Sequence, residues 1–158
     1  YKQEKDNLSN SEIVALSNTE FLVVERDGKF SGAGEAQKHI YKINISDATD
    51  VSSDDPKAEF GRMIGDKTIE ESSWEELTAE GIKPVSKTLV VDLVQVAGYP
   101  HDKLEGIWLI DRNTLGCFND DDFAVTDEDD NGIIEQKILP GADPKIDASS
   151  LYMIPVNL

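Results

Sequence analysis

The sequence predicts an all-β fold with one short helix, on three observations. Short segments that alternate apolar and polar residues recur along the chain, as in residues 38–45. Turn-forming clusters such as Asp130-Asn131-Gly132 and Pro140-Gly141 separate them. Helix signals are clear only in residues 72–81, where Ser73 and Glu76 form a capping box and Gly81 suits the position after the last turn. We therefore expect small sheets with a single helix packed against one of them.

The strands expected from these patterns cover residues 11–17, 20–27, 38–45, 87–96, 104–110, 114–119, 133–139 and 151–156. Residues 1–10 are polar and are expected to form a ragged or disordered end, which leaves residues 11–158 as the domain. Residues 46–66 are expected to form a long loop. No internal sequence repeat is visible, so the pattern alone leaves a sandwich, a barrel and a propeller open.

The charge of the chain limits its partners. Asp and Glu number 32 against 15 Lys and Arg, which gives a formal net charge of −17. Nucleic acid and anionic lipid both require a positive surface, so we expect neither as a partner. No apolar run approaches the roughly 20 residues of a membrane-spanning helix. Such an acidic surface attracts cations, calcium in particular, although a merely solvated acidic face explains the same composition.

Cysteine and histidine are too sparse for several kinds of site. Cys117 is the single cysteine, which excludes an internal disulfide and a thiolate zinc cluster. It lies in an apolar run, where we expect a small buried side chain. His39 and His101 are predicted to be packing or surface residues, and no Gly-x-Ser-x-Gly elbow is present. A nucleophilic triad is therefore not expected.

One acidic segment matches the first half of a calcium-binding loop. Asp127, Asp129, Asn131 and Gly132 follow the pattern Asp-x-Asp-x-Asn-Gly, in which side chains at alternate positions converge on one ion. The twelfth position of such a loop, which carries Glu in an EF-hand, is Ile138 here, so this is not a complete EF-hand. The alternative is an acidic hairpin tip with Asn131-Gly132 as its turn.

Several motifs, taken in order, resemble the phytase-like family, named for the esterase-like activity of phytase. The more specific ones are Glu25-Arg26-Asp27, Glu105-Gly106 and Asn119-Asp120-Asp121-Asp122-Phe123, and weaker ones are Phe21-Leu22-Val23-Val24, His39-Ile40-Tyr41-Lys42-Ile43-Asn44, Ala48-Thr49-Asp50-Val51 and Pro84-Val85-Ser86-Lys87. The resemblance implies a β-propeller, of which this chain would form the C-terminal part, about two to three blades. The N-terminal remainder of the propeller would then be a partner. The resemblance also implies an extracellular or cell-surface phosphoric-ester hydrolase with a small phosphorylated substrate.

In a propeller the inner strands direct side chains toward a central channel, and the resemblance suggests a site there. Glu105, Asn119, Asp120 and Asp122 are candidate calcium ligands, with Asp120 and Asp122 on one face if the chain is extended. Their alternative role is turn stabilisation.

The other candidate group is the Glu25-Arg26-Asp27 motif. Glu25 would join the same channel, and Arg26 would bind a phosphate or form a structural ion pair at the end of its strand. The candidate catalytic residues are then Glu25, Arg26, Glu105 and Asp120. A non-catalytic, calcium-stabilised binding or surface module remains the alternative function.

Overall fold

The computed structural model describes residues 1–52, 59, 61–127 and 130–158. The chain is mainly β, in several small antiparallel sheets, as the sequence predicts. It divides into two compact units: residues 44–86 with residues 1–2, and residues 3–43 with residues 87–158. The strands in chain order are β1 (Ile13–Ala15), β2 (Glu20–Arg26), β3 (Lys38–Asn44), β4 (Ser86–Asp92), β5 (Gly106–Asp111), β6 (Thr114–Phe118), β7 (Val125–Thr126), β8 (Glu135–Gln136), β9 (Ile138–Leu139), β10 (Lys145–Ile146) and β11 (Leu151–Pro155).

The largest sheet has four strands in the order β1-β2-β3-β4. β1 and β2 are antiparallel, with Val14 opposite Leu22. Side chains alternate between the faces of a strand, and on β2 both sets are buried: Leu22 and Val24 on one face, Val23 and Glu25 on the other. The sheet is therefore covered on both sides, and its second face encloses a charged residue.

A three-stranded sheet in the order β11-β6-β5 completes the main core. Ile107 lies opposite Cys117, which lies opposite Tyr152. Cys117 is fully buried, as predicted, and its burial raises the pKa of the thiol to about 12. The buried residues of the core cluster are Leu22, Val24, Ile40, Val91, Leu93, Tyr99, Leu104, Ile107, Leu115, Cys117 and Ile154.

The remaining strands form two short ladders, β7 with β8 and β9 with β10. The single strand predicted over residues 133–139 is thus divided at Lys137, where the chain exchanges one strand partner for another. Lys137 itself is buried, and its amide donates to the carbonyl oxygen of Ala124 at 2.9 Å.

The predicted helix is α1 (Trp74–Ala79), which belongs to the unit of residues 44–86. Both hydrogen bonds of its capping box are present: the Glu76 amide donates to Ser73 Oγ at 3.2 Å, and the Ser73 amide donates to Glu76 Oε2 at 2.8 Å. Gly81 has φ +73°, the left-handed conformation that its place after the helix requires. Leu77 of the helix and Ile82, just after its end, are buried, so both contribute apolar side chains to the interior of this unit.

A second short helix, α2 (Leu93–Ala97), corrects the prediction of only one helix and of a strand over residues 87–96. β4 ends at Asp92, whose carboxylate accepts hydrogen bonds from the amides of Val94 at 3.0 Å and Gln95 at 3.2 Å. This N-cap satisfies amides that a helix start leaves unpaired, and Gly98, at φ +58°, ends the helix. A short apolar run is compatible with strand or helix, so the pattern did not distinguish them.

Within the described ranges, no helix is long and apolar enough to cross a membrane.

Candidate functional site

Arg26 and Glu105 are the two predicted catalytic residues that the structure brings together. A guanidinium nitrogen of Arg26, Nη2, forms an ion pair with Glu105 Oε1, and Arg26 Nε donates to Ser11 Oγ at 2.9 Å. Glu105 lies immediately before β5, where its amide donates to the Phe118 carbonyl oxygen at 3.1 Å. The side chains keep 15% and 33% of their exposure, so the pair lies at the surface with part of each group accessible.

Glu25 lies on the opposite face of β2 from Arg26 and has different partners. Its Oε2 is 2.9 Å from Lys87 Nζ, and its Oε1 accepts hydrogen bonds from Gln37 Nε2 at 3.1 Å and from the Glu4 amide at 3.2 Å. The residue is fully buried. Strand alternation therefore separates Glu25 from the Arg26–Glu105 pair. The sequence-based hypothesis placed Glu25 and Glu105 in a common channel, which would require these two carboxylates to converge.

Asp27 forms a buried ion pair with Lys38. Lys38 Nζ is 2.6 Å from Asp27 Oδ1 and donates to the Lys29 carbonyl oxygen at 2.9 Å. Burial opposes ionisation of Asp27, but Lys38 and the amides of Gln37 and Lys29 outweigh it and lower the pKa of the carboxyl. Burial also lowers the pKa of Lys38, and the nearby Asp27 charge offsets this only in part. Each residue of the Glu25-Arg26-Asp27 motif thus belongs to a different ion pair, formed with Lys87, Glu105 and Lys38 respectively.

Asp122 lies between two lysines. Its Oδ1 is 2.5 Å from Lys103 Nζ and its Oδ2 is 2.7 Å from Lys137 Nζ, while Asp120 is 3.7 Å from Lys103. Hydrogen bonds from Lys103 and then Lys137 lower the pKa of Asp122. Burial lowers the pKa of Lys137, but Asp122 and Asp102 outweigh it and raise the pKa above its usual value. The ammonium groups therefore occupy the positions around Asp122 where the sequence predicts a metal.

The backbone at Asp122 is not extended, which corrects the expectation that Asp120 and Asp122 share a strand face. Asp122, Phe123 and Ala124 have φ of +51°, +61° and +59°, a left-handed turn of three residues that are not glycine. Asp120 Oδ1 accepts from the Asp122 amide at 3.0 Å, and Asp121 accepts from the amides of Phe123 at 3.1 Å and Ser149 at 2.7 Å. These bonds are the turn-stabilising role that the sequence left open as the alternative.

Asn119 belongs to a buried polar cluster that the sequence did not predict. His101 Nδ1 lies 2.5 Å from Asp147 Oδ1, and His101 Nε2 lies 2.8 Å from the Tyr152 hydroxyl. Asn119 Nδ2 is 3.1 Å from His101 Nδ1 and donates to Asp147 Oδ1 at 3.3 Å. Lys137 Nζ is 3.4 Å from the other oxygen of Asp147, which compensates the buried charge.

The cluster around His101 joins residues that are 46 positions apart in sequence, so no local motif marks it. His101 is buried, in agreement with a packing role, but it is hydrogen-bonded on both ring nitrogens. In the described part of the chain, no serine or cysteine is hydrogen-bonded to His101. The cluster therefore has a His–Asp pair without the nucleophile of a triad.

The candidate calcium loop is a tight acidic turn in the structure. Asp127 Oδ1 accepts from the Asn131 amide at 3.0 Å and Oδ2 from the Gly132 amide at 2.9 Å. Asn131 Oδ1 accepts from the Ile133 amide at 2.8 Å, and Gly132 has φ +76°. Asp129 lies outside the described residues. These contacts leave the calcium prediction for Asp127 and Asn131 open, because carboxylate and amide oxygens can accept more than one partner.

Among the residues described, no three Asp, Glu, His or Cys side chains lie close enough together to hold a metal ion. Glu105 pairs with Arg26, Asn119 belongs to the His101 cluster, and Asp120 and Asp122 both lie near Lys103, with Lys137 on the other side of Asp122. These four residues do not fit a shared metal site in this arrangement, and their role as ligands stays a prediction.

Comparison with known proteins gives one match. A family model described as phytase-like, with esterase-like activity of phytase, matches residues 1–123. The matched region contains Arg26, Glu105, Asp120 and Asp122, whereas Asp127, Lys137 and Asp147 follow it. Neither the curated proteins nor the solved structures gave a match.

Proposed function

Because the chain belongs to the phytase-like family, we propose that it is part of an exported phosphoric-ester hydrolase that acts on small phosphorylated substrates outside the cell or at its surface. The single observation that carries the proposal in the structure is the Arg26–Glu105 pair, a partly accessible cation and carboxylate on neighbouring sheets. Such an enzyme must bind phosphate and move a proton, and the pair offers a cation for the first task and a carboxylate for the second.

Arg26 is the proposed phosphate-binding residue. Ser11 and Glu105 engage Nε and Nη2 of the guanidinium, and within the described part of the chain Nη1 has no hydrogen bond. A guanidinium edge binds two oxygens of a phosphate at once, with a specificity that a lysine lacks. Glu105 would orient this edge and accept a proton from the attacking water. Asp120 and Glu25 are the other predicted catalytic residues, and Glu25 is the less suitable because it is fully buried.

We further propose that calcium assists this activity and that the complete protein is a β-propeller. A chain with a net charge of −17 repels a phosphorylated substrate, and bound calcium would compensate that charge and lower the pKa of water. Asp127 and Asn131 have the oxygen ligands that calcium takes.

The outer face of the three-stranded sheet supports the propeller. Trp108 on β5 and Met153 on β11 both lie opposite Gly116 of the central strand, and Phe118 lies opposite Leu151, so exposed apolar side chains line that face. A sheet that is apolar on both faces packs between two neighbours, as a propeller blade does, and the N-terminal remainder of the propeller would supply one of them.

A second function, a non-catalytic binding or surface module stabilised by calcium, is favoured by a different observation. Glu25, Glu105 and Asp122 are separated and pair with different cations, whereas the Asp127 carboxylate lies in a glycine-containing turn whose sequence matches the first half of a calcium-binding loop. The two functions differ in what Glu105 does. It is required for turnover in the first and is only an ion-pair partner in the second.

The test is hydrolysis of an aryl phosphate monoester by the full chain in calcium-containing buffer. We expect Glu105→Gln to lower kcat/KM by at least about 10²-fold, the usual contribution of a general acid or base. Arg26→Lys is expected to raise KM because the bidentate phosphate contact is lost. Arg112→Lys, at an arginine in the turn between β5 and β6, is the matched control and should change neither constant.

The unfolding midpoint of each variant is measured alongside, to separate loss of activity from loss of folding. Turnover that Arg26→Lys and Glu105→Gln leave unchanged would contradict the assigned roles. Absence of turnover in the unaltered chain would favour the non-catalytic function.

A further inference from the structure

The segment that precedes β1 lies against β2 and places one of its own carboxylates on a cation. Residues 3–10, which the sequence predicts as a ragged end, hydrogen-bond to β2: the Ser9 amide donates to the Arg26 carbonyl oxygen at 2.8 Å and Asn10 Nδ2 donates to the Val24 carbonyl oxygen at 3.1 Å. Leu8 is buried there. These contacts carry Glu4 to the face of the sheet on which Glu25 is buried.

The Glu4 carboxylate is paired with Lys87, beside Tyr41. Glu4 Oε1 lies 3.0 Å from Lys87 Nζ, and the Tyr41 side chain helps to lower the pKa of the Glu4 carboxyl. Lys87 Nζ sits 4.1 Å from the centre of the Tyr41 ring, so the ammonium is fixed between a carboxylate above and an aromatic face. The Tyr41 hydroxyl is 3.1 Å from His39 Nδ1, which orients it.

The same surroundings make this an environment for an anion. The hydrogen bond and charge of Lys87, with smaller contributions from Tyr41 and His39, lower the pKa of Glu4 despite some burial. Glu25, fully buried beneath Lys87 at 2.9 Å, balances the ammonium charge. A singly charged anion that replaced the Glu4 carboxylate would therefore leave the net charge of the group unchanged.

The Glu4 carboxylate, unlike that of Glu25, is exposed enough for an external anion to take its place at Lys87. Its side chain keeps 50% of its exposure, whereas Lys87 keeps 12% and Glu25 none. The backbone of the segment is anchored independently, since the Glu4 amide donates to Glu25 Oε1 at 3.2 Å. The carboxylate can thus leave Lys87 by a side-chain rotation while residues 3–10 stay in place.

We propose that Lys87 and Tyr41 form a binding site for a small oxyanion, such as the phosphate group of an organic ester, and that the chain's own Glu4 carboxylate occupies this site as an internal competitor. This site lies on the opposite face of β2 from Arg26 and does not depend on the proposed hydrolysis. A tethered competitor acts at an effective concentration in the millimolar range, so the unaltered chain binds external anions only weakly.

The test is a titration of the full chain with inorganic phosphate, followed by amide chemical shifts. We expect Glu4→Ala to bind phosphate at least about tenfold more tightly than the unaltered chain, because the competitor is gone. Asp6→Ala is the matched control: it removes one negative charge from the same exposed segment and should leave the affinity unchanged. The largest shifts are expected at Tyr41 and Lys87.

Further variants identify the groups that bind the anion. Tyr41→Phe in the Glu4→Ala background keeps the ring beneath Lys87 but removes the hydroxyl, and we expect it to weaken phosphate binding again. Lys87 itself is left intact because its ammonium lies 2.9 Å from the buried Glu25 carboxylate, and removing one member of a buried ion pair destabilises the fold.

Equal affinities of Glu4→Ala and Asp6→Ala would overturn the proposal, since general charge repulsion would then explain both. No saturable binding by Glu4→Ala would overturn it as well. Neither result bears on aryl phosphate turnover, which is measured separately.

Discussion

Lys38 shows, at the scale of a single residue, how this acidic chain uses its few cations. It begins β3 and is fully buried, with its ammonium 2.6 Å from Asp27. The sequence predicts strand β3 but gives no sign that a lysine at its first position points inward, because burial of a charge depends on a partner outside the strand. Burying an ion pair brings little net stability, whereas removing one partner leaves an uncompensated charge.

Lys38→Met is therefore expected to lower the free energy of unfolding by about 3–5 kcal/mol at neutral pH, since Asp27 would stay buried without its counter-charge. Lys42→Met, on the same strand, is the control: its pair with Glu20 spans 3.7 Å at the surface, and the cost should be below about 1 kcal/mol. Urea unfolding measures both. The double variant Lys38→Met with Asp27→Asn should recover part of the loss, and equal effects of the two lysine variants would contradict this account.

The sequence predicted the role of a site residue where its hydrogen-bond partners are close to it in sequence. The turn roles of Asp120 and Asp121 follow from residues two positions away, and the sequence named turn chemistry as one of two readings. Arg26 and Glu105 were both singled out, but they are 79 positions apart, so a structural pair and separate catalytic roles stayed open. His101 and Asp147 escaped entirely, because neither stands in a local motif and only tertiary packing joins them.

At the scale of an element, the sequence predicts strands well and misassigns short segments in which one side chain controls the backbone. β2, β3, β5, β6 and β11 match their predicted positions within a few residues because alternation and turn residues mark them. Asp92 converts the end of a predicted strand into α2 by capping it. The left-handed turn at residues 122–124 contains no glycine, so the sequence did not predict it.

That turn carries a measurable strain. Phe123 has φ +61° and a side chain that is 95% exposed, so its ring contributes little packing that could compensate the conformation. A residue with a Cβ pays about 1–2 kcal/mol in this region, and glycine does not. We expect Phe123→Gly to have a free energy of unfolding about 1 kcal/mol higher than Phe123→Ala, because both remove the ring and only glycine relieves the strain.

Urea unfolding of the two variants gives this difference directly, and Phe123→Ala is the internal control for loss of the ring. If the alanine variant were the more stable of the two, the left-handed conformation would not be strained. The usual preference of a chain for alanine over glycine would then decide the result.

At the scale of the whole molecule, whose net charge is −17, the acidic side chains differ in their surroundings, because some pair with a cation and others face solvent. The cations Arg26, Lys38, Lys87, Lys103 and Lys137 each pair with at least one carboxylate, so they are used to stabilise acidic groups at or below the surface. The remaining acidic groups repel one another through solvent, and salt weakens that repulsion. A bound calcium ion would act differently, because it stabilises the folded state by mass action at a defined site.

These two effects separate in a melting experiment on chelator-treated protein. Calcium and magnesium at equal concentration screen charge alike, so we expect calcium to raise Tm beyond magnesium only through a site with oxygen ligands. A ligand at one hundred times its Kd adds about 2.7 kcal/mol to the free energy of unfolding. Asp127→Asn should remove the excess rise, whereas Asp143→Asn, which removes an exposed carboxylate 3.5 Å from Lys145, should keep it.

The two variants lose the same charge, so a difference between them cannot come from screening. Asp127→Asn also weakens the turn that the carboxylate holds through the Asn131 and Gly132 amides, and this lowers Tm with or without calcium. The readout is therefore the calcium-dependent increment within each variant. An equal rise in calcium and magnesium, or an increment that Asp127→Asn leaves intact, would assign the acidic turn to solvation and remove calcium from the proposed function.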